Sequence, residues 1–170
     1  MGAGAWYPPP LPVMEAFEGK TRVRVRYAET DCMGRAYHAN YLVWFECGRV
    51  ELLRSRGFDY ARVEREQDCF LPVFEAQLKY LAPALFDDEL EIVTRIEDYS
   101  FVRLTFAYEA RRVRDAVLCA EGRTVLAAVD RKGEPRKLPA DLRAYLERLP
   151  LPDEQERRRR SRAAGGPSKA

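Results

Sequence analysis

Apolar and charged residues alternate in the first patterned stretch of the chain. In "TRVRVRY", residues 21–27, apolar positions alternate with arginines, which is the period of two expected of a strand with one buried face. The period changes between Asn40 and Arg56, where apolar residues recur at helical spacing until Gly57. These residues are Tyr41, Phe45, Gly48 and Leu52, with Leu42, Trp44 and Leu53 beside them. The pattern predicts a strand followed by an unusually apolar helix.

Four later stretches have the character of strands. They are "FLPVFEAQLKYLA", "ELEIVTRIE", "FVRLTFAYEARRV" and "VLCAEGRTVLAAVD". The third is the clearest, because every second residue from Val102 to Ala110 is apolar. The segment "DRKGEP" predicts a turn, and "PADLRAYLERL" predicts a short final helix. Consecutive strands with short links form antiparallel sheets, so the order predicts an α+β fold whose sheet wraps the one long helix.

The two ends of the chain differ in composition from its middle. Residues 1–19 are rich in glycine and proline, which predicts a flexible leader. Residues 151–170 are highly charged and finish "AAGGPSKA", which predicts a disordered basic tail. We expect one domain over residues 20–150, with no secretory signal and no apolar run near the roughly 20 residues of a membrane helix.

Composition narrows the class of protein. The chain is 46% hydrophobic and 33% charged, which suits one compact domain. Its net charge is +2, but five arginines lie between positions 157 and 162, and the remainder is slightly acidic. A dedicated nucleic-acid surface is therefore not expected. The four cysteines, Cys32, Cys47, Cys69 and Cys119, form no metal-binding spacing, so we expect no metal site and a reducing, cytoplasmic location.

The segment between the first strand and the helix, "TDCMGRAYHAN", holds the candidate chemistry. It contains Asp31, Gly34 and His38, which is the one histidine of the chain. A helix N-terminus presents unpaired N–H groups that stabilise a developing oxyanion. A carboxylate beside a polarised carbonyl can attack it or draw a proton from water. The combination suits hydrolysis of an acyl compound.

Structural interpretations of the same residues stay open on spacing alone. Asp31 is of a type that shapes turns through side-chain to backbone bonds. His38 or Asn40 can cap the helix, and Gly34 can serve only to adopt a positive φ angle. Cys32 lies within the segment and Cys47 lies near it, and we interpret both as packing residues.

The stretch from Tyr27 to Tyr41 resembles the signature of the 4-hydroxybenzoyl-CoA thioesterase and YbgC-like acyl-CoA thioesterase family. That signature is commonly Y-x-x-T-D-x-x-G-x-x-Y-H-x-N-Y, followed by an aromatic helix. Its fixed positions are filled here by Tyr27, Thr30, Asp31, Gly34, Tyr37, His38, Asn40 and Tyr41. The resemblance continues through "LKYLAPALFDDELEI" and "TVLAAVDRKGEPRKLP". It covers about residues 22–149.

The resemblance implies a hotdog fold, with roughly five antiparallel strands around one long central helix. It also implies homodimers, often paired into tetramers, with the active sites at the subunit interface. The family's catalytic aspartate falls on Asp31, and its carbonyl-polarising N–H falls on His38. The side chains of Tyr27 and His38 are further catalytic candidates. Substrate-binding candidates are Gly34, Tyr37, Asn40 and Tyr41. Arg103 is a further candidate, by its charge, for the phosphates of coenzyme A; the alternative is that it is a solvated residue of an exposed strand face.

The expected activity is hydrolysis of an acyl-CoA thioester, with no cofactor beyond the coenzyme A of the substrate. Two other functions compete with it. A hotdog dehydratase or hydratase uses a histidine with an acidic residue in a different arrangement. A non-catalytic acyl-thioester-binding protein would not need Asp31. The sequence leaves the acyl group open, from short aliphatic to aromatic.

Overall fold

The structure is a computed structural model that describes residues 18–149. Five strands are present: β1 Glu18–Arg24, β2 Val73–Tyr80, β3 Glu89–Tyr99, β4 Arg103–Arg112 and β5 Leu118–Ala127. Three α-helices accompany them: α1 Asn40–Ser55, α2 Tyr60–Gln67 and α3 Ala140–Leu146. A short 3-10 helix, Tyr27–Glu29, follows β1.

The strands form one antiparallel sheet in the order β1-β3-β4-β5-β2. This confirms the predicted α+β class and the antiparallel sheet. β1 includes Glu18 and Gly19, which the sequence analysis assigns to the leader. β1 and β2 are the edge strands, and within the described residues β2 pairs with β5 alone. One side of β2 therefore has unpaired backbone groups.

Helix α1 packs on one face of the sheet, and the core lies between them. The alternation predicted for β4 is confirmed, because Leu104, Phe106, Tyr108 and Ala110 are all buried. The ring of Phe45 on α1 stacks on Tyr108 at 4.5 Å between centroids. A Cβ placed on Gly122 of β5 would lie 2.3 Å from Phe45, so a glycine there lets helix and strand approach closely.

The opposite face of the sheet is charged. Arg95 on β3 contacts Glu18 on β1 at 2.8 Å and Glu109 on β4 at 2.9 Å. Lys20 on β1 contacts Glu91 on β3 at 3.3 Å. Such pairs keep the long side chains of this face ordered, while their net contribution to stability is small because they are partly solvated.

The helices are more numerous than the sequence pattern predicts. α1 agrees with the predicted helix to within one residue, and α3 is the predicted final helix. α2 was not predicted. The proposed leader and basic tail lie outside the described residues, apart from Glu18 and Gly19. Within residues 18–149, no helix is both long and apolar enough to span a bilayer.

Candidate active site

Asp31 lies in a tight turn between the 3-10 helix and α1. Its Oδ1 accepts hydrogen bonds from the N–H of Met33 at 2.8 Å and from the N–H of Arg35 at 3.1 Å. Its own N–H donates to the carbonyl of Arg35, and Gly34 adopts a φ of 71°. Both structural interpretations, Asp31 as a turn former and Gly34 as a positive-φ residue, are therefore confirmed. The other carboxylate oxygen of Asp31, Oδ2, has no hydrogen bond among the described residues.

The chain builds the same turn a second time. Oδ1 of Asp130 accepts from the N–H of Lys132 at 2.8 Å and of Glu134 at 3.0 Å, and Gly133 has a φ of 86°. The Asp130 turn follows β5, beyond the Val73 end of β2, whereas the Asp31 turn lies at the Tyr80 end. The hydrogen bonds of an Asp-x-x-Gly turn therefore do not by themselves identify a site.

Contacts to distant segments hold the Asp31 turn in place. The N–H of Ala36 donates to the carbonyl of Ala84 at 2.8 Å, which fixes the turn to the loop before β3. On the other side, the carbonyl of Glu29 accepts from the N–H of Tyr37 and from Nδ2 of Asn40, both at 2.8 Å. The amide of Asn40 thus joins the start of α1 to the segment before Asp31, a role different from the expected contact with substrate.

Glu29 is a buried carboxylate that the sequence analysis missed. It is 6% exposed, and it accepts from the side chain of Arg26 at 2.8 Å and from Nε1 of Trp44 at 3.3 Å. Burial alone would raise the pKa of Glu29, but the bonds from Arg26 and Trp44 outweigh it and hold that pKa below its ordinary value. Glu29 is therefore ionised at neutral pH and anchors the site segment to α1.

The start of α1 is open to an anion. Ala39 occupies the N-cap without a side-chain hydrogen bond, and the first turn contains no acidic residue. Within residues 18–149, the N–H groups of His38 and Ala39 have no acceptor. The carbonyl of His38, in contrast, accepts from the hydroxyl of Tyr80 on β2 at 3.0 Å. Among the described residues, no carboxylate caps this positive end of the helix dipole.

Aromatic side chains surround this helix start. The ring of His38 lies 4.3 Å from that of Tyr37 and 6.4 Å from that of Tyr80. Tyr27, which is 79% exposed, meets Phe86 edge to face at 5.6 Å. Tyr27, Tyr37 and His38 are all exposed. These three exposed rings belong to residues that flank Asp31 in the sequence.

Other candidate residues are placed differently. Tyr41 is 3% exposed and packs against Trp44 and Tyr80, and burial raises its pKa to about 12. It therefore supports the helix from inside the core. Arg103 lies at the Val73 end of β2, where its guanidinium sits 5.2 Å from the ring of Phe74. Within one chain, Arg103 and the Asp31 turn therefore lie toward opposite ends of β2.

The interpretation of Cys32 and Cys47 as packing residues is wrong. Both side chains are exposed, because Cys32 lies on the surface of the turn and Cys47 on the solvent side of α1. Cys69 and Cys119 are buried, and all four thiols are free. Among the described residues, no group of three His, Cys, Asp or Glu side chains is arranged to hold a metal ion.

Comparison with known proteins identifies the family. The thioesterase-like superfamily profile matches residues 25–156. The putative acyl-CoA thioesterase YneP of Bacillus subtilis is 40% identical over 89 residues, which are 52% of this chain and 64% of YneP. The acyl-CoA thioester hydrolase YbgC of Escherichia coli O6:H1 is 35% identical over 121 residues, which are 71% of this chain and 89% of YbgC.

A solved structure supports the same assignment. The crystal structure of hypothetical protein TT1821 from Thermus thermophilus is 38% identical, with a TM-score of 0.73, and covers 79% of this chain and 99% of that one. The match with YneP spans slightly less than two thirds of that relative, whereas the match with YbgC spans most of it. The chain belongs to the thioesterase-like superfamily, among its YbgC-like, hotdog-fold thioesterases.

Proposed function

We propose that the protein hydrolyses an acyl-CoA thioester to a free acid and coenzyme A, with Asp31 as the reacting carboxylate. The observation that carries this proposal is the state of the two Asp31 oxygens. Oδ1 is fixed by two backbone N–H groups, while Oδ2 has no partner among the described residues and lies on the segment that leads into α1. The names of the YneP and YbgC relatives support acyl-CoA as the substrate.

Two chemical routes use the same geometry. In one, Asp31 attacks the thioester carbon, the thiolate of coenzyme A leaves, and water then cleaves the mixed anhydride. In the other, Asp31 takes a proton from water as its oxygen attacks the thioester carbon; the C–S bond then breaks, and the departing thiolate of coenzyme A takes that proton. In both, the carbonyl oxygen becomes negative and is stabilised by the N–H of His38 at the start of α1. Only water and groups of the chain itself are required, without a metal or redox cofactor.

The exposed aromatic residues support substrate binding near Asp31. The rings of Tyr27, Tyr37 and His38 are exposed, and those of Tyr37 and His38 lie 4.3 Å apart at an angle of 52°. We assign Tyr27 and His38 to orientation of the thioester, and Gly34 to close approach of the substrate. A Cβ at Gly34 would meet no atom within 4 Å, so the surface there is open. The four free thiols agree with a cytoplasmic location.

The free edge of β2 supports a homodimer. Val73, Phe74 and Tyr80 are between 44% and 66% exposed along this edge, and unpaired strand edges with apolar side chains are prone to pair with another chain. Antiparallel pairing of two β2 strands about a two-fold axis would set the Val73 end of one chain beside the Tyr80 end of its twin. We propose that this pairing forms the dimer, and that dimers can pair again into tetramers.

Such a dimer would place Arg103 near the active site of the other subunit. Arg103 borders a cavity of about 430 Å³ that Ser100, Thr105 and Arg123 also line. Arg123 is already paired with Glu97 at 2.7 Å, whereas the guanidinium of Arg103 meets only the ring of Phe74 among the described residues. We therefore propose that Arg103 binds the phosphates of the coenzyme A whose thioester lies at the twin's Asp31.

Mixed dimers test this arrangement. Homodimers of Asp31→Asn should be inactive and homodimers of Arg103→Ala should have a raised KM. In a mixed dimer, one site carries both substitutions and the other carries neither. Unfolding and refolding the two variants together should therefore restore normal activity in that second site. If the mixture shows only the sum of the separate activities, Arg103 does not act across the interface. Sedimentation of the wild-type protein as an active monomer would contradict the proposed dimer.

The function is tested by following release of the thiol over a panel of acyl-CoA esters. The panel should include short aliphatic, branched, long-chain and aromatic acyl groups. Hydrolysis of one class well above the rest would identify the substrate. Tight binding of acyl-CoA without release of the thiol would instead indicate the non-catalytic acyl-thioester-binding function.

A further inference from the structure

Tyr80 connects the free edge of the sheet to the start of α1. It is the last residue of β2, yet its hydroxyl donates to the carbonyl of His38, 42 residues earlier in the chain, at 3.0 Å. Its ring also lies 6.4 Å from that of His38 and 5.4 Å from that of Tyr41. The side chain therefore reaches the segment in which the N–H groups of His38 and Ala39 have no acceptor among the described residues.

The hydrogen bond to His38 fixes a whole peptide unit. The carbonyl of His38 and the N–H of Ala39 belong to one planar group and point in opposite directions. Holding the oxygen on Tyr80 therefore sets the direction of the Ala39 N–H, which has no acceptor within residues 18–149. If this peptide rotated, a carbonyl oxygen would take the place of the N–H and would repel a developing oxyanion.

We propose that Tyr80 is a positioning residue for thioester hydrolysis, whose hydroxyl holds the His38–Ala39 peptide with its N–H toward the reacting carbonyl. This inference rests on the proposed function. The Ala39 N–H then acts as a second donor beside that of His38, so that two adjacent N–H groups share the negative charge. Burial raises the pKa of Tyr80, so its hydroxyl keeps its proton and remains a donor at neutral pH.

The hydroxyl of Tyr80 contributes little to folding. Tyr80 is 49% exposed, and its hydrogen bond lies at the surface, where water can replace the lost partner. The hydroxyl of Tyr108 provides a contrast, because it shares a fully buried hydrogen bond of 2.7 Å with Thr124. Removing each hydroxyl in turn therefore separates positioning from stability.

The test compares Tyr80→Phe with Tyr108→Phe on the acyl-CoA ester that the wild-type hydrolyses best. Tyr80→Phe keeps the ring and removes the hydroxyl. It should lower kcat about tenfold, less than the roughly 10²–10³ lost with a direct oxyanion donor, because the peptide becomes mobile but is still present. KM, the affinity for a non-hydrolysable S-alkyl coenzyme A and the melting temperature should stay unchanged. Tyr108→Phe should lower the melting temperature and leave kcat unchanged.

Other results would overturn the inference. A kcat within twofold of wild-type in Tyr80→Phe would show that the hydroxyl positions nothing of importance. A loss of kcat accompanied by a clear fall in melting temperature would assign the hydroxyl of Tyr80 to folding. Loss of the basic limb of the pH–rate profile would make the hydroxyl itself an acid in the reaction. A wild-type protein that hydrolyses no ester of the panel would instead contradict the proposed function, whatever the variants do.

Discussion

Replacing Asp31 with asparagine separates the turn-forming role that the structure shows from the catalytic role that we propose. The structure shows that Oδ1 carries both bonds of the turn, from the N–H of Met33 and of Arg35. An asparagine with its oxygen at the same place keeps both bonds, and its amide nitrogen replaces Oδ2. The substitution thus leaves the turn and removes the one oxygen that is free to attack or to take a proton.

The expected magnitudes follow from those contacts. Hydrogen bonds to a charged acceptor are about twice as strong as those to a neutral one, and both bonds here are exposed to solvent. The fold should therefore lose at most about 1 kcal/mol, a shift of a few degrees in melting temperature. Loss of a general base typically costs about 10²–10⁴ in rate, so kcat should fall by at least a hundredfold.

Asp130→Asn is the matched control. Its Oδ1 makes the same two turn bonds, at 2.8 and 3.0 Å, and the Asp130 turn follows the far end of β5. Both variants should lose the same small amount of stability, and only Asp31→Asn should lose turnover while still binding S-alkyl coenzyme A. Mass spectrometry should confirm that the introduced asparagine has not deamidated to aspartate. If Asp31→Asn kept more than about a tenth of wild-type kcat, or if both variants lost activity equally, Asp31 would be only a turn former.

Two further substitutions address the surroundings of Asp31. His38→Ala keeps the backbone N–H and removes only the imidazole ring, which lies beside Tyr37. The kcat should therefore fall less than in Asp31→Asn. A loss of about 10²–10³ in kcat at normal stability would instead give the imidazole a direct role. Glu29 has a lowered pKa in the fold, so its stabilising effect is complete above its ordinary pKa and is lost as the pH falls through the folded value. The gap in melting temperature between wild-type and Glu29→Gln should therefore narrow on acidification, and a gap independent of pH would contradict the assigned ion pair.

Periodicity predicted the elements that pack on both sides of the core. β4 alternates because one face lies on α1 and the other is charged, and α1 shows helical spacing because Phe45 and Leu52 face the sheet. α2 was missed because none of its residues is fully buried. Its apolar side consists of Tyr60 and Val63, which pack against the core but are too few to show a helical period. The remaining local signal was Asp59, whose side chain caps the N–H of Ala61 at 3.0 Å.

The site was predictable only as far as its local motif. Asp31, Gly34 and His38 are close in sequence, so one segment and its resemblance to a family were enough to select them. Glu29 and Tyr80 were missed because their roles depend on contacts over 15 and 42 residues, to Trp44 and to His38. The exposure of Cys47 was missed because Cys47 was interpreted by residue type and not by its position relative to Phe45 and Leu52, which mark the buried side of α1.

The repeated turn shows why those distant contacts matter for function. The two Asp-x-x-Gly turns have the same hydrogen bonds and the same left-handed glycine, so local sequence chemistry does not distinguish Asp31 from Asp130. The difference lies in what each turn is attached to. The Asp31 turn is bound to Ala84 and leads to His38 and Ala39, whose N–H groups have no acceptor within residues 18–149. Tyr80 binds the carbonyl of His38. The reacting role that we propose for Asp31 therefore rests on these distant contacts, made by the edge strand and by the loop before β3, and not on the turn itself.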